Sequence, residues 1–265
     1  MKPGVLLAAG LITTISFITL RCAGILPGGP AGEAVQLLLL IPAAGCFSIF
    51  AAARTDRDLV RLALEKTGRL STARFLGILL LFLLLFSIWM VYGPSEGIPK
   101  GVDEAAYFFQ SKIYASGHMT APAPAVSDPL IYFPFRHFVF RDNMWFIVYT
   151  PFHSLLMAPF TAAGAAPLLG PVEGLISLIG IFLLVRLWAG EMVARICSAL
   201  VVLSPFFLFM TTTFMAHNSN LMLITWSLYM ISRRARGAPV SYGIAGGFLI
   251  GLAFATKPYP VLVWL

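Results

Sequence analysis

The chain is short of charge. Only 11% of its 265 residues are Asp, Glu, Lys or Arg, and 59% are hydrophobic. A soluble domain carries about 25% charged residues. Together with a mean hydropathy of +0.88, the deficit excludes an ordinary soluble enzyme and indicates a polytopic membrane protein. Acidic residues are scarcer than basic ones, 11 against 18, for a formal net charge of +7. That excess does not point to nucleic acid. The cations sit in short connectors between apolar runs, as the positive-inside rule expects. Cysteine is nearly absent. Cys22, Cys46 and Cys197 lie within apolar runs and read as small buried hydrophobes, which leaves no disulfide framework. Metal-ligand spacings such as H-x-x-x-H or C-x-x-C are missing, so no protein-built metal site is expected. No A-x-A-like cleavage site follows the first apolar run, which therefore reads as a retained span. Internal repeats and low-complexity tracts are also lacking.

What is present is a series of apolar runs near the length a bilayer needs, about 20 residues. They fall at 5–25, 35–53, 75–92, 172–188, 196–213, 221–231 (starting nearer Met215) and 242–255. A shorter run, 151–166, contains Pro159 and reads as an interfacial or re-entrant helix. Arg54, Arg57, Arg61, Lys66, Arg69 and Arg74 fill one connector; Arg233, Arg234 and Arg236 fill another; Arg186 and Arg195 flank a third. All three reach the cytoplasmic side together if 151–166 does not cross. The expected fold is all-α, a polytopic helical protein of about 7–8 spans. Its expected parts are N-terminal spans and a basic loop (1–92), a large external loop (93–170) and core spans (171–265). His118, His137, His153 and His217 then all lie on the external side with the pair Asp103–Glu104.

Adjacent carboxylates beside a bilayer are costly to keep ionised unless something uses them. Glycines and prolines from Gly93 to Gly101 break the third span, and 103–116 lacks both before meeting Gly117. That pattern predicts one helix. At 3.6 residues per turn Asp103, Tyr107, Gln110 and Tyr114 share one face, and Ala106, Phe109 and Ile113 another. Such a helix would lie flat on the outer leaflet. Glu104 is rotated by about 100° from Asp103, so the two carboxylates need not act as a pair. A plainer reading makes Asp103 a helix N-cap with Glu104 in the first turn. The segment from Ile131 to Tyr149 partly alternates and reads as a hairpin turning at Arg141-Asp142-Asn143. His153 opens the interfacial helix, as a structural residue, a ligand or a base. Lys257 ends a span, where a snorkelling lysine is common.

The run D-E-A-A-Y-F-F-Q-S-K-I-Y-A-S-G-H-M-T-A-P-A-P resembles the first external loop of bacterial GT-C glycosyltransferases, which include lipid A aminoarabinose transferases and protein O-mannosyltransferases. Y-T-P-F-H-S-L-L, then L-S-P-F-F-L-F-M-T-T-T-F-M-A-H-N-S-N, then G-L-A-F-A-T-K-P follow in the family's order. The resemblance covers about 92–260. It implies a sugar, hexosyl or pentosyl, passed from a polyprenyl-phosphate donor to a lipid, glycan or protein acceptor with inversion. It implies a bacterial inner-membrane protein of the cell envelope, in contact with membrane lipids, with its active face periplasmic or extracellular. The acidic residue opening the loop maps to Asp103, with Glu104 beside it, and Lys257 matches a lysine near the carrier phosphate. Two extra N-terminal spans depart from the pattern, and His217, Asn218 and Asn220 stand where many relatives carry another carboxylate. Relatives are longer, so an N-terminal fragment is expected.

The chemistry suits these residues. A lipid phosphate is already a good leaving group, so the needs are a base at the acceptor hydroxyl and positive charge on the departing phosphate. Asp103 would meet the first need. Lys257, Arg136 or Lys112 would meet the second. Tyr107, Gln110, His153, His217 and Asn218 are the further substrate-binding candidates, His217 and Asn218 being equally suited to capping a span. No cofactor is expected, though a divalent cation bridging Asp103 and a phosphate is compatible with the sequence. The competing readings are a transporter or flippase for a lipid-linked substrate, which would place ionisable groups near span midpoints, and a non-catalytic membrane scaffold.

Overall fold

A computed structural model describes residues 70–123 and 137–258, which belong to one compact unit. The apolar runs 5–25 and 35–53, the connector cations from Arg54 to Arg69, Cys22, Cys46 and Arg136 lie outside the described residues.

Eight α-helices occur among the described residues: α1 (Thr72–Tyr92), α2 (Val102–Ala115), α3 (Phe152–Ala162), α4 (Leu169–Ala189), α5 (Glu191–Leu203), α6 (Pro205–Met210), α7 (His217–Ala235) and α8 (Val240–Thr256). A small antiparallel sheet, β1 (Ala121–Pro122), β2 (Phe138–Arg141) and β3 (Met144–Ile147), is ordered β1-β3-β2. The mostly helical expectation holds, and the predicted hairpin is present. Among the described residues, two helices are long and apolar enough to cross a membrane: Thr72–Tyr92, 21 residues, and Ala166–Ala189, 24 residues including a leading 3₁₀ turn. α8 is apolar but shorter, 17 residues.

The run 196–213 is not one continuous helix. It is divided between α5 and α6 at Ser204-Pro205, where Ser204 adopts an extended backbone (ψ 119°). Proline cannot donate to the helical ladder and disfavours helical geometry in the residue before it. α3 has 11 residues and is about 16 Å long, roughly half the hydrocarbon thickness of a bilayer.

The packing is inverted relative to a soluble bundle. Val240, Ile244 and Phe248 form an outward row on α8, between 62% and 69% exposed, as do Leu81, Leu85 and Trp89 on α1. The buried face of α7 is mostly polar instead: Asn218, Ser219, Asn220, Thr225, Ser227 and Ser232 accompany Leu223. Small and hydroxylated residues inside with hydrocarbon outside is the pattern of helices that associate in lipid. Close approach is visible at Gly174, where an added Cβ would lie 2.5 Å from Thr211 Cγ2. At Gly170 it would lie 2.6 Å from the Thr211 carbonyl oxygen. These glycines seat α4 against the segment after α6.

The helices run alternately between two ends. At one end Glu191 accepts hydrogen bonds from Thr72 and Arg195 and pairs with Arg186, while Arg236 donates to the Leu187 carbonyl. Arg233 and Arg234 lie in the last turn of α7 at the same end. The opposite end gathers the start of α2, the start of α7 and the end of α8. There the hairpin docks on α2. Trp145 packs against Phe109 and Phe140 (ring centroids 4.5 and 5.3 Å apart), contacts worth about 0.5–1.5 kcal/mol each beyond their buried area. Gln110 fastens this dock, receiving a bond from the Ile147 amide (3.1 Å) and donating to the Met119 carbonyl (2.9 Å).

Candidate active site

The hairpin turn builds the first half of the site. Asp142 and Asn143 have φ of +53° and +58°, the left-handed geometry of a two-residue primed turn, which Asp and Asn tolerate. That turn sets the register Phe138 to Ile147, and the Val148 amide extends the ladder to the His137 carbonyl at 3.0 Å. His137 and Tyr149 therefore emerge together at the base of the hairpin. Both meet Asp103. The Tyr149 hydroxyl donates to Asp103 Oδ1 at 2.5 Å and is also hydrogen-bonded to His137 Nδ1. His137 Nδ1 stands 3.4 Å from the same carboxylate oxygen.

Asp103 is not the N-cap of α2; Gly101 is, and it makes no side-chain capping bond. Both acidic residues lie in the first turn, where the helix dipole favours negative charge. They diverge as their 100° offset predicts. Asp103 engages Tyr149, and Glu104 Oε2 accepts the Phe214 amide at 3.3 Å. Burial, reinforced by Asp103, raises the Tyr149 phenol well above its ordinary value, and raises Tyr107 to about 12. Both tyrosines thus stay neutral donors at physiological pH. Tyr107 stacks on Tyr149 with centroids 4.8 Å apart.

The second half of the site comes from α7 and α8. Lys257 caps the end of α8 in an extended conformation, and its Nζ lies 3.0 Å from His217 Nε2. Asn220 donates to the Ala253 and Lys257 carbonyls, filling acceptors that the helix end leaves open. Thr150, one residue beyond Tyr149, donates to the Thr256 carbonyl and ties the two halves together. Burial lowers the Lys257 ammonium from its ordinary value, and the charge of Asp103 opposes that shift. Carboxylate and ammonium thus feel each other's field.

Two cavities open here. One of about 390 Å³ is lined by Asp103, Glu104, Phe209, Met210, Thr213 and Met215, with Gly101 and Val102. The other, about 370 Å³, has apolar walls (Phe206, Phe207, Met210, Leu221, Ile224) and polar groups from His217, Asn218, Asn220 and Lys257. Met210 belongs to both.

Of the residues singled out from sequence, Asp103, Glu104, His217, Asn218 and Lys257 line these cavities. Tyr107 and Gln110 do not. The row read as polar and outward is turned into the protein, where Tyr107 is 4% exposed and Gln110 2%. Tyr107 packs against Tyr149 and His153, and Gln110 bonds the hairpin at Ile147, so this face of the helix lies against protein. Lys112 is exposed and stacks over Phe108, 4.3 Å from its centroid. Among the described residues no three His, Cys, Asp or Glu side chains cluster as metal ligands.

His153 is buried beneath the site. Its Nε2 bonds the Phe214 carbonyl (2.9 Å) and its Nδ1 bonds Ser219 Oγ (2.6 Å), which in turn contacts Glu173 Oε1. Burial lowers the His153 imidazole to about 4, outweighing the carbonyl bond. The folded state therefore resists the proton that the unfolded chain accepts near pH 6.5. Above that pH His153 carries no penalty. As pH falls from 6.5 to about 4 the contribution of His153 to stability should drop by about 3 kcal/mol. The difference in melting temperature between His153→Asn and the wild type, both detergent-solubilised, should shift in favour of His153→Asn across this range. A difference that stays constant with pH would remove His153 as a pH-dependent term.

Sequence reasoning missed Tyr149 as a partner of Asp103. The one available signal was the hairpin register, which sets residues 137 and 148 opposite each other.

Residues 153–265, less than half of the chain, match the model of the family described as dolichyl-phosphate-mannose-protein mannosyltransferase. No curated protein and no solved structure matches the chain. Asp103, Glu104 and Tyr149 precede the matched residues, whereas His153, Glu173, His217, Asn218 and Lys257 fall within them. The resemblance read from the sequence is borne out by this match, which supports a GT-C-like glycosyltransferase of the mannosyltransferase type.

Proposed function

We propose that the chain moves a mannosyl group from a polyprenyl-phosphate donor to a hydroxyl of a lipid, glycan or protein acceptor, on the external face of the membrane and with inversion. The observation that carries the proposal is the pairing of two cavities across Met210, with a carboxylate lining one and a lysine lining the other. The apolar walls of the second cavity suit a prenyl chain, and Lys257 with His217 beside it suits a phosphate. The Asp103 carboxylate takes the proton of the acceptor hydroxyl as its oxygen attacks the anomeric carbon. The bond from that carbon to the phosphate oxygen breaks, and the polyprenyl phosphate leaves as an anion held by Lys257. Attack from one cavity with departure into the other gives inversion. The external face is supported by the arginines gathered at the opposite helix ends.

The test uses the purified full chain in lipid nanodiscs, with polyprenyl-phosphate mannose labelled in the sugar and washed membranes as the source of acceptors. Label should pass to the acceptor fraction with matching release of polyprenyl phosphate. Absence of both donor binding and transfer would overturn the reading in favour of a scaffold. Donor carried across the bilayer with its sugar still attached would favour a flippase.

A further inference from the structure

Among the described residues, one buried carboxyl group stands apart from the two cavities. Glu173, in the second turn of α4, is 2% exposed. Its Oε1 contacts Ser219 Oγ, and its Oε2 is buried with no hydrogen-bond partner. Ser219 is fully buried and also bonds His153 Nδ1 at 2.6 Å. His153, 1% exposed, bonds the Phe214 carbonyl through Nε2 at 2.9 Å. The Phe214 amide then donates to Glu104. A carboxylate left half-bonded in such a place costs several kcal/mol, so an ionisable side chain here calls for a role.

Hydrogen accounting restricts the protonation. A carbonyl oxygen only accepts, so His153 Nε2 carries a hydrogen. In a neutral imidazole Nδ1 is then an acceptor. The Ser219 hydroxyl has one proton and two neighbours, His153 Nδ1 and Glu173 Oε1. If Ser219 donates to His153, Glu173 must donate to Ser219, which requires a carboxylic acid. If Ser219 donates to Glu173, His153 must donate to Ser219, which requires an imidazolium. Either way the network holds one extra proton and is neutral as a whole. Burial disfavours the imidazolium at His153, and a neutral acid removes the charge from the bare Oε2.

We infer that Glu173 is a protonated carboxylic acid, and that Glu173, Ser219 and His153 form a positioning network for the transfer site. The hydrogen bonds run in one direction, from Glu173 to Ser219 to His153 to the Phe214 carbonyl. What they hold is the turn between α6 and α7. Met210, Thr213 and Met215 of that stretch line the Asp103 cavity, while Met210, His217 and Asn218 line the Lys257 cavity. The network therefore sets the wall that separates base from phosphate site. It also reaches the base through two aromatic rings: His153 meets Tyr107 edge-on at 4.8 Å, and Tyr107 stacks on the tyrosine that binds Asp103.

Infrared spectroscopy and kinetics test this together, and only the kinetic arm rests on the proposed mannosyl transfer. At neutral pH the wild-type protein should show a buried carboxylic-acid carbonyl band that disappears in Glu173→Gln. Absence of that band overturns the inference, whatever reaction the protein catalyses. Glutamine is a neutral donor of the same length and should keep kcat near that of the wild type. Glu173→Ala and the milder Ser219→Ala should lower kcat by about 10–100-fold, the range known for residues that orient a functional group from behind. Their KM for polyprenyl-phosphate mannose should change little. Glu173→Gln as damaging as Glu173→Ala would show that a charge is needed and overturn the inference, as would full activity in Ser219→Ala. A wild-type protein that binds no donor would sink the proposed reaction, leaving the infrared band and the melting temperatures of these variants to decide the network.

Discussion

Asp103→Asn should lower sugar transfer by about 10²–10⁴-fold, the range that a positioned general base contributes. The substitution separates chemistry from structure well. An asparagine carbonyl still accepts the Tyr149 hydroxyl that now reaches Oδ1 at 2.5 Å, so the base of the hairpin keeps its partner. What it loses is the capacity to take a proton. The variant should therefore insert, melt near the wild type and still bind polyprenyl-phosphate mannose, because the donor groove is lined by other residues. Initial rates of polyprenyl phosphate release give the measurement. A rate within a few-fold of the wild type would remove Asp103 from the mechanism. Glu104 would not be its natural substitute, since its carboxylate is engaged by the Phe214 amide.

Lys257→Met comes second in expected size. Methionine keeps an unbranched apolar stem at the end of α8 and removes the ammonium. Loss of one preorganised group that stabilises developing negative charge costs about 10²–10³-fold in kcat. The departing phosphate gains charge as its bond to the sugar breaks, so the loss should fall more on kcat than on KM. Lys257→Arg keeps the charge and should recover part of the rate. The half-buried position sharpens the expectation, because a cation partly out of water interacts more strongly with an anion beside it. Unchanged turnover in Lys257→Met would return Lys257 to the plain part of a lysine at a helix end.

Much of the architecture was legible without coordinates. Apolar run length located α1, α4 and α8, and the Gly/Pro stretch before Asp103 located the start of α2 within a residue or two. Among the described runs, 196–213 was misread as continuous, and it held its own warning in Ser204-Pro205. For the candidate site, loop chemistry and resemblance singled out Asp103 and Lys257, and each lines a cavity. The interior of that site was not legible. Tyr107 and Gln110 shared a face with Asp103 by periodicity, and that much is correct. Which way the face turned depended on aromatic residues from a hairpin more than thirty positions away.

The sequence by itself determined a helical, outward-apolar protein with cations gathered in short connectors and an acidic pair opening a polar loop. Those properties are local or additive, since hydropathy, charge placement and turn chemistry act over one element at a time. Only the tertiary structure decided that Asp103 is held by Tyr149, that Glu104 is spent on the Phe214 amide, and that Glu173 lies buried against Ser219. These contacts join residues 46, 110 and 46 positions apart. Nothing in local periodicity encodes such pairings. They arise when α2, the hairpin, α4 and α7 pack together and each buried polar group must find a partner among whatever that packing brings near.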